Sequence, residues 1–274
     1  MPANYGGRLA SVLLIEPEFG ETENWQVDAG IGFITASLHA QGPVKKGKTY
    51  VNLNLRECHA GVFSTPISSK FFSVDNSTGS LGYYFYDANA ALKHIVNDKH
   101  TIKFSFYHSH DFYRFDRDDV YTEDTRYERE IRDRKLRWAN YTATFSWETR
   151  LRGIRISNQA LLSPYRLGSD QHVNNYRKSG NRPPDANQFD YQNLSRLHDA
   201  GLASNWKKSW TGKHILQWGI RHSNRLFQVN DVYLLKRDTL DRFIDGDTLT
   251  NPLVFSSENI LYADYSFLFR DKLQ

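Results

Sequence analysis

Ala139-Asn140-Tyr141-Thr142-Ala143-Thr144-Phe145-Ser146-Trp147-Glu148 is the stretch on which the fold turns. Its odd positions read Ala, Tyr, Ala, Phe, Trp and its even positions Asn, Thr, Thr, Ser, Glu. A period of two puts each set on its own face of a β-strand, whereas a helix would mix them. The same alternation spreads outward in both directions. Upstream, Ile102, Phe104 and Phe106 oppose Lys103, Ser105, Tyr107 and Ser109; before them Tyr84, Tyr86, Ala88, Ala90 and Leu92 oppose Asp87, Asn89 and Lys93. Asn97-Asp98-Lys99 joins these two runs, and such residues close a β-hairpin. Downstream, residues 154–165 and 202–210 continue the pattern, followed by Leu216, Trp218 and Ile220. The last run sets Leu261, Ala263, Tyr265, Phe267 and Phe269 against Tyr262, Asp264, Ser266 and Arg270. The chain reads as all-β, with no amphipathic helix of any length. About ten antiparallel strands are expected, at 24–31, 33–41, 48–57, 81–96, 100–112, 136–149, 153–166, 189–210, 214–229 and 258–270.

The connections alternate as well. Short turns are expected at 42–48, 97–100, 150–153 and 211–213, and long polar loops at 58–80, 111–135, 167–188 and 230–258. A compact soluble domain rarely carries four structureless loops of that length. A transmembrane β-barrel has this asymmetry by construction, with short periplasmic turns on one rim and long extracellular loops on the other.

Composition points the same way. The 274 residues are 39% hydrophobic and 14% aromatic, with a mean hydropathy of −0.63. No run of roughly 18 apolar residues exists, so no helical membrane span is expected. A barrel strand needs only about 10 residues of alternating polarity, because one face meets lipid and the other a wet lumen. In hydrocarbon every backbone N–H and C=O must be paired, so only a closed sheet spans without a helix. Tyr84, Trp138, Trp147, Trp206, Trp210 and Trp218 suit the aromatic girdles of such a sheet. The net charge of +4 is dispersed, with Lys and Arg interleaved among Asp and Glu, so nucleic-acid binding is not expected. Cys58, the one cysteine, permits no internal disulfide and no thiolate metal cluster.

A family resemblance adds to this reading. Tyr5-Gly6-Gly7-Arg8-Leu9-Ala10-Ser11-Val12-Leu13-Leu14-Ile15 resembles the last plug strand of TonB-dependent outer-membrane receptors. Gly30-Ile31-Gly32-Phe33-Ile34-Thr35-Ala36-Ser37-Leu38, followed by Gln41-Gly42-Pro43-Val44-Lys45-Lys46-Gly47-Lys48, is similar to the first barrel hairpin and its periplasmic turn. Residues 84–92, 214–219 and 261–265 resemble the subgroup with a carboxypeptidase-regulatory-like extension ahead of the plug. The resemblance runs from Tyr5 to Leu273. It implies that 1–20 is a plug remnant and 21–274 the N-terminal part of a 22-stranded barrel. No export signal, plug body or TonB box is recognised before Tyr5, so the chain is expected to be a piece of a receptor in the Gram-negative outer membrane. The implied function is import of a scarce solute (a siderophore, glycan or vitamin), with outer-membrane lipid and the TonB energy-coupling complex as partners.

Candidate chemistry is sparse. His108 and His110 share one strand face and are candidate metal ligands, the alternative being amphipathic packing near the extracellular rim. No further ligands at suitable spacing are evident, so no metal or other cofactor is expected. Residues 111–135 crowd Asp116, Asp118, Asp119, Glu123, Asp124, Glu128, Glu130 and Asp133 among Arg114, Arg117, Arg126, Arg129, Arg132 and Arg134. They lack the spacing of a calcium loop and read as a self-paired, solvated loop. The G-x-S-x-G, H-E-x-x-H and G-x-x-x-x-G-K-[ST] motifs are absent, and no catalysis is expected. Ligand contacts are expected only somewhere in the loops 58–80, 111–135, 167–188 and 230–258, with no residue singled out. The competing reading is a secreted soluble β-sandwich that binds glycans through exposed Trp and Tyr; it requires Phe104, Phe106, Phe145 and Trp147 to be buried between two sheets.

Overall fold

The computed structural model describes residues 16–73, 76–210, 214–237, 243–250 and 252–267, and within 229–250 the backbone only. The segment resembling a plug strand, 5–15, lies outside the described residues; 16–25 carry no strand or helix. From there the chain forms one antiparallel sheet. Its elements are β1 (Gln26–Ile31), β2 (Thr35–Lys45), β3 (Thr49–Cys58), α1 (Ala60–Phe72), β4 (Ser77–Asn97), β5 (His100–Glu123) and β6 (Arg126–Leu151). After them come β7 (Ile154–Ser179), β8 (Asp185–Trp210), β9 (His214–Arg237), β10 (Phe243–Thr250) and β11 (Val254–Phe267).

Each strand pairs with the next in sequence, and both β10 and β11 pair with β9. Thr250 stands opposite Asp231 and Val254 opposite Phe227, so β10 and β11 are two halves of one descending strand. Ten strand positions therefore meander in the order of the chain, as expected. Among the described residues β1 does not pair with β10 or β11, and the sheet is open.

The strands are longer than the apolar alternation indicates. β6, β7 and β8 each run for 26 residues, about 85 Å at about 3.3 Å per residue. The stretch 111–135, expected as a loop, is strand except for a turn at 124–125, where Asp124 takes φ 44°. Likewise 167–188 is strand except around 180–184, and the described residues of 230–258 are strand apart from 252 and 253. The reason is physical: in these stretches both faces are polar, so no hydrophobic alternation marks the strand. Cross-strand pairing sets the conformation instead, with ion pairs such as Arg129–Asp118 (2.7 Å) and Arg114–Asp133 (3.2 Å) reaching between β5 and β6.

The absence of any helix is overturned too. α1 occupies 60–72 and carries Pro66 in its interior. The sequence hides it because its apolar residues form no single stripe toward the sheet: Val62, Ile67 and Phe71 are largely exposed. Gly61, Thr65, Ser68 and Phe72 make the contacts: a Cβ on Gly61 would sit 3.0 Å from the Tyr83 carbonyl, and Phe72 meets Phe115 edge-on. β3 pairs with β4 only from Phe85 downward, which leaves the upper edge of β4 bare. Ser68 covers it, its hydroxyl accepting from Leu81 N (2.8 Å) within reach of the Leu81 carbonyl (3.2 Å). A helix over an unpaired edge blunts its tendency to recruit another chain.

The turns expected at 42–48, 97–100 and 150–153 are present, whereas 211–213 lies outside the described residues. Arg152 (φ 48°) and Gly153 (φ 79°) both take left-handed backbone, as a two-residue hairpin turn requires. There is almost no interior: the buried apolar side chains among the described residues are Cys58, Ala91 and Val173. Phe104, Phe106, Phe145 and Trp147 are 42%, 37%, 47% and 42% exposed, in a single sheet rather than between two.

Candidate membrane belt and polar face

Register decides which side chains share a face, since residues directly opposite point the same way. One row reads Val51, Leu92, Phe104, Phe145, Ala160 and Leu202 from β3 to β8. The next reads Val27, Ala40, Leu53, Ala90, Phe106, Ala143, Leu162 and Ala200. On this face a continuous apolar belt crosses the sheet and reaches Ile220 and Leu261 at its far side. It is open to its surroundings, with Leu162 59% and Leu202 61% exposed. On β5 it runs from Ile102 to Phe112, about 34 Å along the strand and about 25 Å if the strand tilts by about 40°.

The upper boundary of the belt is oblique to the register. Going up this face, the first arginine is Arg114 on β5, Arg137 on β6, Arg166 on β7 and Arg196 on β8, while Ser80 tops the apolar run of β4 and His108, His110 and His198 lie below the arginines of their strands. Ser80 stands opposite Asp116, two residues above Arg114; Arg114 stands opposite Lys135, two below which on the sheet comes Arg137. Arg137 opposes Gly168, and Arg166 lies one position lower; Arg166 opposes Arg196, with His198 one position lower again. The arginine edge thus drops by one side-chain position per strand from β5 to β7 and stays level at β8. A plane crossing strands that are all tilted one way cuts the register in this staircase, and tilted strands are the geometry of a barrel wall.

Aromatic residues mark both margins. At the lower one Trp147 stacks on His100 at 5.8 Å, and Trp206 meets Trp218 at 5.7 Å. At the upper one Tyr84 and Tyr86 lie beside His108, His110 and Tyr141. Trp138, expected in the girdles, stands opposite Asp111 on the other face. Polar residues of the belt on β7 to β11 pair with one another, whereas on β5 the buried His110 Nδ1 has no hydrogen-bond partner among the described residues. Ser204 Oγ donates to Asn158 Oδ1 (2.7 Å), and His222 Nδ1 bonds Asn259 Oδ1 (2.7 Å).

His108 and His110 belong to the upper aromatic cluster. His108 Nδ1 lies 3.2 Å from the Asn140 carbonyl and Nε2 3.1 Å from the Tyr86 hydroxyl. The first nitrogen therefore donates and the second accepts, so neither points a free lone pair at a shared site. His108 stacks on Tyr141 at 4.0 Å and His110 on Tyr86 at 5.6 Å. Among the described residues no three His, Cys, Asp or Glu side chains gather as a metal site.

The opposite face is polar over the same height. Tyr83 OH donates to Asp111 Oδ1 (2.7 Å), Lys103 Nζ meets Glu148 Oε1 (2.6 Å), and Thr142 bonds Ser163 (3.2 Å). Arg56 pairs with Asp87 (2.6 Å), and Arg225 bridges Asp199 (3.2 Å) and Glu258 (3.1 Å). Tyr262 lies across Gly219 to donate to Asn205 Oδ1 (2.7 Å), and a Cβ on Gly219 would come within 2.8 Å of its ring.

Above the belt both faces are charged. Arg117 Nε donates to both Asp119 oxygens (2.8 and 2.9 Å), and Asp119 is 3% exposed. Burial alone would raise this carboxyl. The hydrogen bonds from Arg117 and Ser77, with the charges of Arg117 and Arg132, hold it below the usual carboxylate range. The acidic run of 111–135 is thus self-paired as read, but on strands rather than in a loop. Of the four stretches expected to carry ligand contacts, 58–80 holds α1, and the strand ends near 124–125 and 180–184 form the rim. The sequence signal that finds this is the alternation of opposite charges at spacings of two, as in Arg114-Phe115-Asp116 and Arg117-Asp118-Asp119.

No family model, curated protein or solved structure matches this chain.

Proposed function

We propose that the chain is part of the wall of an outer-membrane β-barrel of the TonB-dependent receptor type. The apolar belt faces lipid, the opposite face lines a wet lumen, and the charged strand ends stand in water outside the cell. The observation that carries the membrane reading is the continuous, exposed apolar belt on one face of a sheet that is polar on the other, with arginines stepping along its upper edge from β5 to β7. The receptor reading rests on the sequence resemblance at 5–15, 30–48, 84–92, 214–219 and 261–265. Its function is then import of a scarce solute, energised through the TonB complex, by a barrel to which these ten strands contribute.

Site-directed labelling tests the spanning geometry. In a Cys58→Ser background, single cysteines at Ala143, Leu162 and Leu202 are expected to resist a water-soluble maleimide in outer-membrane preparations. Cysteines at Thr144, Ser163 and Ala203 are expected to react. Equal labelling of the two sets rejects the belt. Solute uptake that persists without the TonB complex rejects the receptor class while leaving the barrel standing.

A further inference from the structure

The first arginine met going up the belt face is Arg114 on β5, Arg137 on β6 and Arg166 on β7. On β8 it is Arg196, with His198 one position below. Most of the sheet's charges at this height are neutralised within it. Asp116 stands opposite Asp133 and Arg114 opposite Lys135, an unfavourable arrangement relieved by Arg114–Asp116 (3.0 Å), Arg114–Asp133 (3.2 Å) and Lys135–Asp133 (3.0 Å). Arg117 stands opposite Arg132, relieved by Asp119 and Glu130. Arg137 pairs with Asp170.

Arg166 and Arg196 also stand directly opposite one another. Arg196 Nη1 donates to Gln228 Oε1 (3.4 Å), and no carboxylate pairs with either arginine among the described residues. Their same-face neighbours are Ala139, Pro164, Gly168, Leu194, His198 and Gln228. Like charges with Cβ atoms about 5 Å apart destabilise a sheet unless an anion lies between them. Arg150 and Arg155 oppose each other too, at the other rim, but on the polar face beside a turn. The Arg166–Arg196 pair instead crowns the exposed apolar surface of Leu162, Ala200 and Leu202.

We infer that Arg166 and Arg196, flanked by Arg137, hold the phosphate of an anionic lipid head group, whose acyl chains descend the belt past Leu162 and Leu202. Two planar guanidiniums match the oxygens of a phosphate, and the apolar surface directly beneath selects a lipid over a free ion. This inference rests on the membrane-spanning reading.

The test reconstitutes the chain in phosphatidylcholine vesicles with a minor fraction of phosphatidic acid, whose head group is a phosphate monoester. Co-purifying lipid is quantified, and quenching of Trp206 and Trp218 by brominated acyl chains reports insertion. Phosphatidic acid is expected to be enriched on the unaltered chain and on R150Q/R155Q. On R166Q/R196Q the enrichment is expected to fall about 25-fold, or about fivefold per charge, with quenching unchanged. Equal enrichment on R166Q/R196Q overturns the inference. So does displacement of the lipid by inorganic phosphate, which would make this a free-anion site. Absence of quenching in the unaltered chain rejects the membrane reading and the inference with it, a result distinguishable from quenching without lipid preference.

Discussion

Leu161 and Leu162 are neighbours of the same type with opposite prospects. Leu162 lies in the row of Phe106, Ala143 and Ala200 on the apolar face, whereas Leu161 lies with Thr144 and Gly201 on the polar one. With the belt facing lipid as proposed, Leu162→Arg is expected to destabilise the sheet by about 2–4 kcal/mol, the cost of a cation near a bilayer midplane. Leu161→Arg should cost far less, because on that reading its face meets the wet lumen. Urea unfolding in lipid vesicles measures both, and equal losses contradict the assignment of faces. Gly219 is constrained by contact rather than by backbone angle. A Cβ there would approach the Ser204 carbonyl at 2.4 Å and the Tyr262 ring at 2.8 Å. Gly219→Val is expected to cost about 1–3 kcal/mol by overpacking. Adding Tyr262→Ala should recover only part of this, because the Ser204 backbone stays where it is; unfolding of the single and double variants checks the order.

At the scale of elements, α1 and the upper halves of β5 and β6 hold their places by polar contacts. Ser68→Ala removes the acceptor of the Leu81 amide, and a cost of about 1–3 kcal/mol is expected for the unsatisfied group. Hydrogen exchange localises the loss: the Leu81 amide should exchange faster while Phe104 and Phe145 in the belt keep their protection. In β5, Asp119 ties the upper strand together through Arg117, Ser77 and Arg132. Its carboxyl titrates below the unfolded value, so its contribution is fully present above about pH 4, the ordinary Asp range, and is lost as pH falls through the folded value. Asp119→Asn should therefore flatten the acid limb of a stability–pH curve and leave its neutral shape unchanged. The exposed ion pairs around it contribute little individually, each about 0–1 kcal/mol, and act mainly to fix register.

The whole molecule is a wall without an interior. With three buried apolar side chains among the described residues, its stability cannot come from a core and must come from the ladder of backbone bonds and from whatever covers the belt. β1, β10 and β11 each pair on one side only among the described residues, so Gln26–Ile31, Phe243–Thr250 and Val254–Phe267 present free edges. In detergent the chain is expected to self-associate through them. Val27→Pro, which removes a donor from β1, should lower the sedimentation-detected oligomer fraction. An unchanged fraction would show that association runs through the belt instead.

Much of this was legible in the residues. The all-β class, the ten strand positions, the three described short turns and the two-faced character of the lower half follow from alternation alone. A period of two is a local property, and each apolar–polar step registers it wherever lipid or water takes a single face. Tertiary structure decided the rest. The strands overshoot the belt because β5–β8 pair with one another, and with both faces wet no alternation records it. α1 is a helix because β3 stops short and β4 needs its edge covered, a demand that nothing within 60–72 expresses. The staircase boundary, and the meeting of Arg166 with Arg196 above it, exist only once register aligns strands distant in sequence. Each arginine alone reads as an ordinary solvated charge.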